Sequence, residues 1–67
     1  MTQDATQALN FLASAGPWAN TTLDEPDLRS LLLHTGGTFM AAGYLCEIVV
    51  RPLGAGVYKI TRKLANP

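Results

Sequence analysis

With 67 residues, 48% of them hydrophobic and 15% charged, the chain has material for one small core and is too apolar to stay disordered. The single cysteine and single histidine exclude an internal disulfide framework and fall short of the three or four ligands a zinc site needs. The net charge is zero, yet it is segregated: residues 1–50 carry −4 (Asp4, Asp24, Glu25, Asp27 and Glu47 against Arg29) and residues 51–67 carry +4 (Arg51, Lys59, Arg62 and Lys63).

The opening "MTQDATQ" has an acid and no Lys or Arg, and the longest apolar run, "FMAAGYLC", is far short of the ~20 residues that cross a bilayer. Neither export nor membrane insertion is expected, and a reducing, cytoplasmic setting follows from the lone thiol.

The first element, "DATQALNFLASAGP", reads as a helix with Asp4 as its cap, Gln7 three positions on, and Gly16–Pro17 as its stop. Ala5, Ala8, Leu9, Leu12 and Ala15 recur at helical spacing, with Phe11 widening the stripe. In the turn "GPWANTT", Trp18 is read as a lid over the first helix, with an exposed anchor as the alternative.

A second, short helix follows in "LDEPDLRSLLLHTGG". Asp24 is its N-cap, Leu23 and Leu28 stand at staple positions, Asp27 complements the dipole, and Pro26 lies in the first turn. Leu28, Leu31 and Leu32 form the inner stripe, and Gly36 is free to take positive φ at the end. His34 sits in the last turn, where an imidazolium favours the dipole.

The stretch "TFMAAGYLCEIVV" fits two descriptions. Phe39, Ala42, Leu45, Cys46 and Val49 match a helical stripe, whereas the β-branched tail favours a strand. The expectation is a third helix from Thr38 into the Leu45–Glu47 region, then a strand from Ile48 to Arg51, although the interior Gly43 argues against a helix. Cys46 lies on the apolar stripe and is read as a small hydrophobe.

Strict alternation in "VYKITRKL" puts Tyr58, Ile60, Arg62 and Leu64 on one strand face and Val57, Lys59, Thr61 and Lys63 on the other. Pro52, Gly54 and Gly56 are read as the connecting loop, and residues 65–67 as a frayed tail of the single domain 1–67. Neither "HTGGTF" nor "PLGAG" has the lysine of a P-loop or the spacing of a dinucleotide site, so both read as corners and no cofactor is expected.

The expected fold class is therefore α+β: three short helices followed by a two-stranded hairpin. With "FLASAGPW", "LDEPDLRSLLLHTGGTFMAAGYLCEI" and "VVRPLGAGVYKIT" in succession, this order resembles the winged helix-turn-helix domain. The resemblance implies a non-enzymatic regulator or accessory factor whose helix enters a DNA groove and whose wing touches phosphates. The wing residues would be Arg51, Lys59 and Lys63, with Arg62 beside them on the inward face. The helix that should read bases offers Thr38, Met40, Ala41, Tyr44 and Glu47, none of them a usual reader except Glu47. The alternative is a protein-binding module, a small inhibitor or a homodimer, using Met40, Tyr44 and Trp18.

Overall fold

The computed structural model describes residues 1–65. Among them are two helices and four strands: α1 (Gln3–Ser14), β1 (Thr21–Asp24), α2 (Glu25–Thr35), β2 (Thr38–Ala41), β3 (Tyr44–Gly54) and β4 (Val57–Leu64). The strands form one antiparallel sheet in the order β1-β4-β3-β2. This overturns the expected three helices and two-stranded hairpin.

The reason lies in Ala42 and Gly43. Both have positive φ, 53° and 83°, the pairing that a two-residue type I′ hairpin turn demands. A helix through Thr38–Glu47 is thereby broken in the middle, and the segment folds into β2, a turn and the start of β3, with Ala41 opposite Tyr44 and Phe39 opposite Cys46. The element expected to enter a major groove is a hairpin. The same device recurs at Ala55–Gly56, with φ of 54° and 75°. The second loop is thus only two residues long, and Pro52 and Gly54 belong to β3 rather than to the loop.

Pro52 lies where the β3–β4 register shifts. The β2-side bonds of β3 fall on alternate residues, as Ile48 N–H donating to the Gly37 carbonyl at 2.9 Å shows. Carried forward, this alternation turns the Pro52 nitrogen to the open edge, where no ladder bond is lost.

Two expectations about the helices change and several hold. The N-cap of α1 is Thr2, whose Oγ1 accepts from Ala5 N–H at 3.2 Å, and not Asp4. Between the helices the chain makes β1, an element that the polar stretch "ANTT" hid. For α2, Asp24 is the cap, its carboxylate accepting from Asp27 N–H at 3.0 Å, and Gly36 closes the other end at φ 68°.

Side chains of Ala5, Ala8 and Leu12 from α1, Leu28 and Leu31 from α2, and Leu23, Phe39, Ala41, Cys46 and Ile60 from the sheet make the core. Both helices lie against this inner face, and α1 touches the two edge strands, β1 and β2, so the sheet curls around it. Trp18, read as a lid, is instead 82% exposed, its ring lying over Gly16, where any Cβ would collide with it. Of the expected tail, residues 66 and 67 lie outside the described residues.

Candidate functional site

Strand alternation and register decide which side chains share a surface. Directly opposed residues of antiparallel strands point to the same side. Tyr58, Ile60, Arg62 and Leu64 therefore join Ile48, Val50 and Cys46 on the inner face, as the alternation of "VYKITRKL" implied. The outer face carries rows across the sheet: Asp24–Val57–Gly54, Thr22–Lys59–Arg51, Thr61–Val49, Lys63–Glu47–Thr38 and Leu45–Met40. With both helices on the inner side, no described element packs over these rows.

Three of the four cations expected to act together do share that face. Arg51 stands directly opposite Lys59, a like-charge pair that weakens a sheet, and neither forms an ion pair among the described residues. Lys63 lies four residues beyond Lys59 on the same strand face, about 13 Å away at the usual rise. Its Nζ is 3.6 Å from Glu47, with both side chains well exposed, so its charge is only partly offset.

Arg62 is separated from them. It turns inward, and its Nη1 donates to the Leu12 carbonyl at 2.9 Å. That oxygen belongs to the last turn of α1, where carbonyls lack helical partners and a cation is favoured by the dipole. Arg62 thus fastens β4 to α1.

The residues expected to contact a protein lie at the other end of the sheet. Met40 is 59% exposed and Tyr44 64% exposed. On the inner side, away from Met40, a groove of 310 Å³ is lined by Pro17, Ala41, Tyr44, Cys46 and Leu64, among others, so the chain just before Trp18 reaches Tyr44. Leu45, beside Met40 on the outer face, and Leu64, beside the groove on the inner face, are also exposed. The helical stripe predicts a buried Leu45, which the hairpin turns outward, whereas strand alternation gives Leu64 the inner face, where it lies but is 60% exposed.

His34 and Cys46 fall in different settings. His34 is exposed in the last turn of α2, as expected, while Cys46 is buried at the heart of the sheet with its Sγ 3.8 Å from the Tyr44 carbonyl. Among the described residues no group of three His, Cys, Asp or Glu side chains is placed to hold a metal ion, and no helix is long and apolar enough to cross a membrane. No family model, curated protein or solved structure matches this chain.

Proposed function

We propose that the protein is a small nucleic-acid-binding module that grips the phosphate backbone with the outer face of its sheet. The observation that carries this reading is the opposition of Arg51 and Lys59 on a face with no described covering element. Two cations held side by side with no ion pair to an acid repel each other, and a bound phosphate relieves that repulsion; Asp24, in the next row of the same face, has its carboxylate engaged by Asp27 N–H as the cap of α2. Thr22, opposite Lys59, and Thr61 on the neighbouring row add hydroxyl donors of the kind that position a protein on phosphates.

The same face argues against reading of bases. Its rows contain no aromatic side chain on which a base could stack and no Asn or Gln to pair with a base edge. The proposed contact is electrostatic and indifferent to sequence. Its test is titration of a mixed-sequence duplex with the native chain and with Arg51→Ala/Lys59→Ala. The double variant should lose at least tenfold in affinity at low salt while keeping its fold. Equal affinity of the two proteins would refute the assignment.

A further inference from the structure

We infer that two copies of the chain pair edge to edge along β2, forming a two-fold dimer with one continuous eight-stranded sheet. The inference stands on residues other than Arg51 and Lys59, and its test contains no nucleic acid.

Because Ile48 N–H bonds to the Gly37 carbonyl, the alternation of an antiparallel ladder turns the amides and carbonyls of Phe39 and Ala41 toward β3 and those of Thr38 and Met40 toward the open edge. Among the described residues no hydrogen bond engages those outward groups. The helix α1 packs on the inner side, where Phe39 and Ala41 are buried.

Other stretches of edge carry features that oppose self-pairing, and β2 does not. Pro52 removes a donor from the exposed part of β3. All four residues of β1 line a cleft of 350 Å³ together with Asp4 and Asp27, so a second copy brought there would meet its own negative charge. Along β2 the edge bears Met40 instead, with Leu45 beside it on the outer face, and Tyr44, opposite Ala41, at the end of the inner side. The nearest charges, Glu47 and Lys63, are of opposite sign and 3.6 Å apart, so the edge carries no net charge there. A neutral, apolar patch is what an isologous contact needs, since each group meets its own copy's surroundings.

The register follows from the free groups. Centring the two-fold axis on Phe39 places Thr38 opposite Met40 of the second copy, and the reverse, so that all four outward amides and carbonyls of each strand are paired. In this arrangement the outer faces are continuous, and both Arg51–Lys59 pairs lie on one side of the joined sheet.

Sedimentation of the native chain from micromolar to submillimolar concentration tests this. The mass should rise from 7.2 kDa to twice that value. Met40→Pro, which removes only an outward N–H, and Met40→Lys, which puts a charge on the edge, should each weaken the dimer by more than tenfold. Should Met40→Pro fail to fold, as judged by circular dichroism, Met40→Lys decides. A Thr38→Cys/Met40→Cys double variant should oxidise to a covalent dimer, because cross-strand Cα atoms about 5.5 Å apart suit a disulfide, whereas Thr38→Cys alone should not. A mass of 7.2 kDa throughout would overturn the inference. So would a dimer indifferent to Met40→Lys, or equal cross-linking by the single variant.

Discussion

Replacing Ala42 by Asn should stabilise this protein, and the sign of the effect separates the observed fold from the helical alternative. Ala42 is exposed and holds φ at 53°, a left-handed conformation that costs an ordinary L-residue about 1–2 kcal/mol. Asn occupies that region with less strain and is among the preferred first residues of a type I′ turn. Recovering half of the strain gives about 0.5–1 kcal/mol, or a rise of roughly 2–8 °C in melting temperature for a domain of this size. If Thr38–Glu47 were a helix, the same change would replace the best helix former by a poor one and lower stability by roughly 0.6 kcal/mol. Ala55, at φ 54° in the other turn, provides an internal control, because both descriptions place it in a loop. The assay is thermal unfolding followed by circular dichroism on Ala42→Asn, Ala55→Asn and the pair. A lowered melting temperature for Ala42→Asn beside a raised one for Ala55→Asn would refute the hairpin.

Two further changes probe the anchoring of the helices and the division of labour among the cations. Asp24→Ala removes the carboxylate that accepts from Asp27 N–H and should cost about 1 kcal/mol, read as a lower urea midpoint with an unchanged slope. Arg62→Met removes the donor to the Leu12 carbonyl and should lower stability while leaving duplex affinity at low salt within twofold, whereas Lys59→Ala should do the reverse.

The local rules that were legible in the sequence are those whose cause is local. Asp24, Leu23, Leu28 and Gly36 announced α2 because capping and staple geometry depend on residues within one or two turns. The alternation of "VYKITRKL" likewise separated Lys59 and Lys63 from Tyr58 and Ile60 before any register was known. What misled was "TFMAAGYLC", where two periods coincide. Phe39 and Cys46 suit a helical stripe at seven residues apart, and the same two residues face each other across β2 and β3 once a turn is inserted between them. Gly43 was the available signal, and Ala42 obscured it, since Ala is the least expected residue for a left-handed turn position and the most favourable one for a helix. The strand β1 was illegible for a different reason. Its four residues bury only Leu23, and it exists because β4 offers an edge to pair with, a long-range cause that no short window contains.

The candidate site divides in the same way. Clustering of cations in residues 51–67 was visible as composition, but the separation of Arg62 from Arg51, Lys59 and Lys63 needed the strand faces, and the bond to Leu12 spans fifty residues of chain. The opposition of Arg51 and Lys59 depends on where the second turn falls. A loop built from Pro52, Gly54 and Gly56 would have set a different register, and the two cations would not have been neighbours by necessity.

The most direct test of the nucleic-acid reading is the salt dependence of duplex binding by the native chain. Contact of two or three phosphates by Arg51, Lys59 and Lys63 predicts a slope of log affinity against log salt of about −1.8 to −2.7, and so a loss of roughly 10- to 40-fold between about 50 and 200 mM salt. Absence of binding at the lower salt, or an affinity unchanged across that range, would contradict a phosphate-gripping face.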